Sequence, residues 1–199
     1  MIKLSKKKIN IGILGGTFDP PHKGHLHISK VALKKLKLNK IIWVVTKKNP
    51  LKNKPFFDIN IRIKLSKKIL KNHKKIVVKY FDNKIESKNT YDLLNLLKKN
   101  NKKANFFFLM GADNLINFHK WYKWKKIPEI AKIAVFSRAN YSKKALNSVA
   151  SKKLKKQKWI YIKSKKVNIS SSLIRNFGTR NREIPLMPSG ALGVRASTM

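Results

Sequence analysis

The fold is decided by one stretch, which begins as Ile9-Asn10-Ile11-Gly12-Ile13-Leu14 and continues as Gly15-Gly16-Thr17-Phe18-Asp19-Pro20-Pro21-His22-Lys23-Gly24-His25-Leu26. The first part has the length and the β-branched content of a buried strand. The helical spacing of the apolar residues from Leu26 to Leu36 predicts a helix that starts near Gly24. The stretch therefore predicts a strand, a glycine-rich loop and a helix.

The loop between this strand and this helix has the features of a phosphate site. Glycine lets the backbone approach a ligand closely, and a helix start offers N–H groups and the positive end of the helix dipole to an anion. His22 and His25 are three residues apart, so on a helix they share one face and can hydrogen-bond the same phosphate. Gly24 leaves no side chain between them. The alternative, a turn with two surface histidines, is disfavoured by the full spacing after a strand.

Strand-like and helical segments alternate along the rest of the chain. Strands are predicted at residues 9–14, 41–46, 76–80, 106–110, 130–136 and 159–162, and helices at 26–36, 61–70, 90–97, 114–124 and 145–154. This order predicts an α/β fold, a single Rossmann-like domain with a doubly wound parallel sheet and helices on both faces. Ligands bind beyond the carboxyl ends of such strands, so Gly15 and Gly111, which both follow strands, should meet at one edge.

Composition limits the class of protein. A chain of 199 residues with 42% hydrophobic residues is long enough for one domain with a core. No apolar run approaches the roughly 20 residues of a membrane span. The chain has no cysteine, so it has neither a disulfide framework nor a thiolate metal site. These features favour a cytoplasmic protein without a membrane partner.

The net charge of +40 is extreme and by itself favours nucleic acid as a partner. Lysine supplies 42 of the 48 cationic residues and is spread through the sequence with much asparagine and isoleucine, as an AT-rich genome would encode. No arginine-rich arm or aromatic RNA-binding motif accompanies the lysines. We therefore interpret the charge mainly as solvated surface that also attracts anionic nucleotides, and a basic RNA-binding module remains the alternative from another class.

Two more motifs lie downstream of the first. One is Gly111-Ala112-Asp113-Asn114-Leu115 followed by Phe118-His119-Lys120-Trp121-Tyr122-Lys123-Trp124, and the other is Ile169-Ser170-Ser171-Ser172-Leu173-Ile174-Arg175. With the first motif they resemble the G-A-D-N-L-x-x-F-H-x-W-x-x-W block, the I-S-S-T-x-I-R motif and the H-x-G-H signature of the bacterial nicotinate-nucleotide adenylyltransferases, with serine replacing threonine at Ser172. Three motifs in this order are much more specific than any one of them.

The resemblance implies an enzyme of NAD biosynthesis that transfers the adenylyl group of ATP to nicotinate mononucleotide, giving deamido-NAD and pyrophosphate. Such a reaction needs positioning and charge stabilisation, and no covalent nucleophile. Mg²⁺ is implied as a cofactor bound through the ATP phosphates, with no protein metal site. Related acceptors are nicotinamide mononucleotide and phosphopantetheine. The tryptophan block distinguishes the chain from phosphopantetheine enzymes, and the amide acceptor stays open, as does assembly into a homo-oligomer.

The resemblance also implies roles for individual residues. His22, His25 and Arg175 would be catalytic, and ATP would be bound by Gly15, Gly16, Thr17, Phe18, Gly24, Lys52, Gly111, Asp113, Ser171 and Ser172. Thr90, Trp121 and Tyr122 would bind nicotinate mononucleotide, with the ring stacked on Trp121. Phe118 and Trp124 are interpreted as core residues, His119 as a packing residue, and His27 and His73 as ordinary surface or helix residues.

The last 22 residues differ in composition from the rest of the chain. They contain no lysine, hold three of the six arginines and lack the terminal motif that the resemblance leads us to expect. We therefore divide the chain into a nucleotidyltransferase domain at residues 1–177 and an atypical, poorly ordered tail at residues 178–199, where we place no site.

Overall fold

The structure is a computed structural model that describes residues 8–48, 54–81, 89–164 and 169–181, with only the backbone described for 177–181. Its described strands are β1 (Asn10–Gly16), β2 (Lys40–Val45), β3 (Ile76–Lys79), β4 (Asn105–Gly111), β5 (Ala131–Phe136) and β6 (Trp159–Ile162). They form one sheet in the order β3-β2-β1-β4-β5-β6, and every neighbouring pair is parallel. The α/β fold with a doubly wound parallel sheet is therefore confirmed.

Helices follow most of the strands. The α-helices are α1 (Lys23–Lys35), α2 (Ile59–Ile69), α3 (Thr90–Asn100), α4 (Ala112–Ile116), α5 (Ile127–Ile130), α6 (Ser142–Leu146), α7 (Val149–Lys153) and α8 (Ser171–Asn181), and short 3-10 helices span Phe118–Lys120 and Lys156–Lys158. Polar side chains fix several of the starts, because they accept hydrogen bonds from the first backbone N–H groups. Asp58 caps α2 and Asn89 caps α3 in this way.

The sheet separates two apolar clusters. Successive side chains of a strand point to opposite faces, and Phe108 and Val135 accordingly belong to one cluster, whereas Leu109 and Phe136 belong to the other. The first cluster also contains apolar residues of α3 and α4, and the second contains Ala32 of α1. Helices therefore cover both faces, as the sequence predicted.

Two predicted helices are wrong in extent. Instead of one helix at residues 114–124, α4 ends at Ile116, a 3-10 turn follows, Trp121 is extended, and Lys123 has a φ of 47°. A residue in the left-handed region cannot continue an α-helix. The helix predicted at 145–154 is likewise divided, because the chain leaves α6 at Leu146 and Ser148 caps a new helix through Ser151 N–H.

The order of the strands creates a crevice between β1 and β4. The chain moves outward from β1 through β2 to β3, and outward from β4 through β5 to β6 on the other side. At such a switch point the loops after the two central strands diverge and leave room for a ligand. Gly15 and Gly111 lie at the carboxyl ends of these two strands, as predicted.

The ends of the described part bear on two sequence predictions. Helix α8 continues to Asn181, across the boundary expected after residue 177, and residues 182–199 lie outside the described residues. Lys52 lies outside them as well. Within the described ranges, no helix has the length and apolar character needed to cross a membrane.

Candidate active site

A pocket opens at the carboxyl ends of β1 and β4. Most of the residues proposed from the sequence line it, namely Gly15, Gly16, Thr17, Phe18, His22, Gly24, His25, Gly111, Asp113, Trp121, Ser171 and Ser172. Thr90, Tyr122 and Arg175 are not among its lining residues. The pocket brings together side chains from the first motif, the tryptophan block and the serine motif, which are far apart in sequence.

His22 and His25 are fixed by the start of α1. His22 is the N-cap residue, and its Nδ1 accepts from the Gly24 N–H at 3.1 Å, while Nδ1 of His25 accepts from the His22 N–H at 3.2 Å. The ring centroids are 3.9 Å apart. An imidazole whose Nδ1 accepts a hydrogen bond carries its proton on Nε2 in the neutral form. The local backbone therefore makes each Nε2 the donor nitrogen.

The charge state of His22 follows from its surroundings. The side chain is buried, with 8% of its surface exposed. Burial, helped by the positive charge of Arg138, lowers the pKa of His22 from 6.5 to about 4. Its imidazole is therefore neutral at pH 7, which preserves the acceptor role of Nδ1 in the cap.

Phe18 belongs to an apolar cluster of the core and also lines the pocket. The ring is 1% exposed, stacks on Trp43 at 4.8 Å and lies 4.8 Å from the ring of His25. Its φ of 49° lies in the left-handed region, which is costly for a residue with a β-carbon. The aromatic packing holds the residue in this conformation and places its ring in contact with that of His25.

The serine motif is tied directly to the first motif. Ser171 Oγ donates to the carbonyl of Pro20 at 2.9 Å, and the Arg175 guanidinium donates to the Asp19 carbonyl and, at 3.3 Å, to Asp19 Oδ2. The Asp19 carboxylate also accepts from the N–H groups of Phe56 and Phe57, both at 2.8 Å. The buried aspartate therefore connects its own loop with helix α8 and with the segment before α2.

Helix α8 begins at Ser171. Ser170 Oγ accepts from the Leu173 N–H at 3.1 Å and caps the helix. Ser172 Oγ instead accepts from Arg175 Nη2 at 3.3 Å. Ser170, which the sequence reasoning missed, also lines the pocket, and its place directly before a helical pattern is the signal that could have identified it.

Asp113 lies at the start of α4, against Gly111. Its Oδ2 accepts from Arg138 Nη1 at 2.6 Å, whereas Oδ1 is buried and has no hydrogen-bond partner in the structure. A β-carbon on Gly111 would overlap with Asp113 Oδ1. Glycine at 111 therefore allows this carboxylate to sit beside the strand end. A buried unpaired carboxylate oxygen is costly and is a ready acceptor for a hydroxyl donor.

The tryptophan block reaches the pocket through Trp121. This ring contacts Phe118 at 5.3 Å and Phe108 at 5.9 Å in edge-to-face geometry, so the core holds it in place. Phe118 is fully buried, and Trp124 packs on it at 6.0 Å, so both pack in the core. Tyr122 is 51% exposed.

The proposed mononucleotide residues outside the pocket lining lie close to one another. The Tyr122 ring contacts that of Tyr91 at 6.2 Å, and Tyr91 follows Thr90, the first residue of α3. Lys123 Nζ lies over both tyrosine rings, at 4.8 and 5.1 Å. The structure therefore brings Thr90 and Tyr122 into one neighbourhood beside Trp121.

Sequence reasoning missed further residues of the pocket. His27 was interpreted as an ordinary surface or helix residue, but it lines the pocket, and its Nε2 is buried without a hydrogen-bond partner. Ser137 and Arg138 line the pocket after β5, and Ser164 does so after β6. Their position just beyond the carboxyl ends of predicted strands is the signal that could have identified them.

Comparison with known protein families gives the class of this protein. A family model described as cytidylyltransferase-like matches residues 13–177, from within β1 into α8. The match includes the histidine pair, the Asp113 region and the serine motif. The chain therefore belongs to the cytidylyltransferase-like class.

Curated relatives narrow the class. A probable nicotinate-nucleotide adenylyltransferase of Pelagibacter ubique is 53% identical over 172 residues, which cover 86% of this chain and 95% of the relative. One of Mesorhizobium japonicum is 33% identical over 188 residues, covering 86% of this chain and 96% of the relative. The chain therefore belongs to the nicotinate-nucleotide adenylyltransferase family, which confirms the resemblance drawn from its three motifs.

Solved structures share the fold. A Plasmodium falciparum nicotinic acid mononucleotide adenylyltransferase complexed with NaAD aligns with a TM-score of 0.66 at 22% identity, covering 85% of this chain and 83% of that chain. The same protein complexed with APC aligns with a TM-score of 0.67 over the same shares.

Proposed function

We propose that this chain transfers the adenylyl group of ATP to nicotinate mononucleotide, releasing deamido-NAD and pyrophosphate. The observation that carries the proposal is the pair His22 and His25, whose Nδ1 atoms are occupied by backbone N–H groups at the start of α1. Two Nε2–H donors beside a helix N-terminus form an anion site at the switch point of the sheet. Family membership supplies the identity of the acceptor.

The reaction needs no covalent intermediate. A phosphate oxygen of the mononucleotide, already ionised at neutral pH, attacks the α-phosphorus of ATP. The new P–O bond forms as the bond to the leaving pyrophosphate oxygen breaks, and negative charge grows on the transferring and leaving groups. His22 and His25 would donate hydrogen bonds to this charge from Nε2. Because the pKa of His22 is about 4, it acts as a neutral donor and keeps its cap.

The remaining residues would bind and orient the two substrates. We assign ATP to the strand ends and loops of Gly15, Gly16, Thr17, Phe18, Gly24, Lys52, Gly111, Asp113, Ser171 and Ser172, with Arg175 on the β and γ phosphates. Asp113 Oδ1, buried without a partner, is suited to a ribose hydroxyl. The nicotinate ring would stack on Trp121, with Thr90 and Tyr122 beside it.

Mg²⁺ is the cation that we propose for the reaction, bound by ATP phosphates and water. The nearby carboxylates already have protein partners, since Asp19 accepts from Phe56 and Phe57 and Asp113 pairs with Arg138. This donor set fits a cation that arrives with its nucleotide. When bound, it neutralises part of the phosphate charge.

The experiment is product analysis with the purified chain, MgATP and nicotinate mononucleotide. We expect deamido-NAD and pyrophosphate in equal amounts, loss of both with His25→Ala, and no loss with His73→Ala, which lies in the turn after α2. RNA binding measured on the same variants tests the other class. No product from the wild-type chain, together with tight and steeply salt-dependent RNA binding, would overturn the proposal in favour of an RNA-binding module.

A further inference from the structure

One cation stands out among the described residues that line the pocket. The chain contains 48 lysines and arginines, and of those that the structure describes, Arg138 alone lines the pocket. It follows β5 by two positions, beside the loop after β4. Among the described lining residues, Arg138 therefore brings the permanent positive charge nearest to a nucleotide bound in the pocket.

The guanidinium of Arg138 is held in place from two sides. Its Nη1 donates to Asp113 Oδ2 at 2.6 Å, and its central carbon lies 5.6 Å from the ring centroid of Tyr141. The side chain remains 39% exposed. A guanidinium has five N–H donors in a rigid fork, so a single bond to Asp113 leaves donors for a second anion.

Two proposed contacts of ATP line the same pocket as this arginine. Asp113, which accepts from its guanidinium, is the residue suited to the ribose hydroxyls, and His22 is a proposed phosphate donor. Arg138 is close enough to His22 for its charge to lower the pKa of that imidazole. The α-phosphoryl group is the phosphate attached to the ribose, so it is the group that fits between these residues.

We propose that Arg138 binds the α-phosphoryl group of ATP, while Asp113 anchors the guanidinium and accepts from a ribose hydroxyl. The inference rests on the proposed function and adds a substrate-contacting residue to it. A fixed guanidinium at this phosphate stabilises the charge that grows during transfer, and it needs no reorganisation as the reaction proceeds.

The test compares Arg138→Gln and Arg138→Lys with Lys132→Gln. Lys132 is exposed on β5, the strand that precedes Arg138, so its variant removes one charge without removing a pocket residue. Calorimetry measures the binding of α,β-methylene-ATP and of adenosine to each variant. We expect Arg138→Gln to weaken the binding of α,β-methylene-ATP by about ten- to one-hundredfold more than it weakens the binding of adenosine. Arg138→Lys should recover part of the loss, and Lys132→Gln should resemble wild type.

Two outcomes would overturn the inference. Equal losses for the nucleotide and for adenosine would make Arg138 only a positioning residue for Asp113, and unchanged binding of both would remove it from the site. Thermal melting of each variant shows whether it is folded, and Arg138→Lys provides the comparison if Arg138→Gln is not. Because these measurements contain no acceptor, they are independent of whether the wild-type chain uses nicotinate mononucleotide.

Discussion

A β-carbon at position 24 would lie 2.8 Å from both Cε1 and Nδ1 of the His22 ring. Contacts of that length do not occur, and the atoms belong to a buried ring that also accepts the Gly24 N–H. The Ile169 side chain, 3.3 Å from the same point, narrows the space further. Glycine is therefore required at position 24 because of where the His22 ring lies, and not because of the backbone conformation of residue 24.

Replacing Gly24 by alanine tests this relationship. The His22 ring should move out of its cap, and kcat/KM should fall by about one-hundredfold, the loss that a displacement of 1 Å can cause. Stability should change little, because alanine gains about 1 kcal/mol of helix propensity over glycine, which offsets the strain. Steady-state kinetics and thermal melting measure the two effects. Lys30→Ala on the exposed side of α1 is the control, and an active Gly24→Ala enzyme would contradict the account.

His22 should titrate far below the usual range of histidine. Burial, with a contribution from Arg138, places its pKa at about 4. An NMR titration of the imidazole signals, assigned by comparison with His22→Gln, measures this value directly. We expect no change of the His22 signal between pH 8 and 5.5. A midpoint near 6.5 would show that the ring is solvated and that its Nδ1 is not held by the cap.

The same pKa has a consequence for stability. The folded-state pKa lies below the unfolded value of 6.5, so between these values the unfolded chain binds a proton that the folded chain does not. The contribution of His22 is therefore complete above pH 6.5 and declines by about 3 kcal/mol as the pH falls toward 4. Denaturant unfolding of wild type and His22→Gln at pH 7 and pH 5 measures it. Equal pH dependence in the two proteins would contradict this assignment.

Substitutions of Trp121 and Trp124 should differ in effect, because the first should weaken substrate binding and the second should lower stability. Trp121 lines the pocket, whereas Trp124 packs on Phe118 beside it. Trp121→Leu should raise KM for nicotinate mononucleotide by about tenfold through loss of stacking, with KM for ATP unchanged. Trp124→Leu is the matched control and should lower the melting temperature while leaving both KM values near those of wild type. The reverse pattern would exclude Trp121 from the mononucleotide site.

We expect the C-terminal residues up to the end of α8 to be required for activity and the residues after it to be dispensable. A chain ending at Asn181 keeps the whole helix and every described residue of the pocket, so we expect its kcat and KM values to equal those of the full chain. A chain ending at Ser164 loses Ser171 and Arg175, which connect α8 to Pro20 and Asp19, and it should be inactive. Loss of activity in the longer truncation would assign a role to residues 182–199.

The fold could be predicted because local patterns in the sequence indicate its strands and the loops that follow them. Each buried strand is an apolar run, and the loop glycines mark the ends of β1 and β4. The shape of the tryptophan block could not be predicted, because Lys123 has a positive φ that residues with a β-carbon rarely adopt and that a lysine does not signal. Helical spacing of Phe118, Trp121 and Trp124 was satisfied without a continuous helix.

Prediction of the site was limited because some of its residues become neighbours only in the folded sheet. His22, His25 and Asp113 stand in recognisable local patterns, and the structure places them in one pocket. Arg138 has no pattern of its own, and its partner Asp113 lies 25 positions away in sequence. Only the sheet order makes the two residues neighbours, since it places β5 next to β4. Pairing between strands therefore has to be known before such a residue can be recognised.

Acceptor preference is the measurement that tests the account most directly. Initial rates of pyrophosphate release with MgATP give kcat/KM for nicotinate mononucleotide, nicotinamide mononucleotide and phosphopantetheine under identical conditions. The account predicts a strong preference for nicotinate mononucleotide. A preference for phosphopantetheine, or equal rates with all three acceptors, would contradict it.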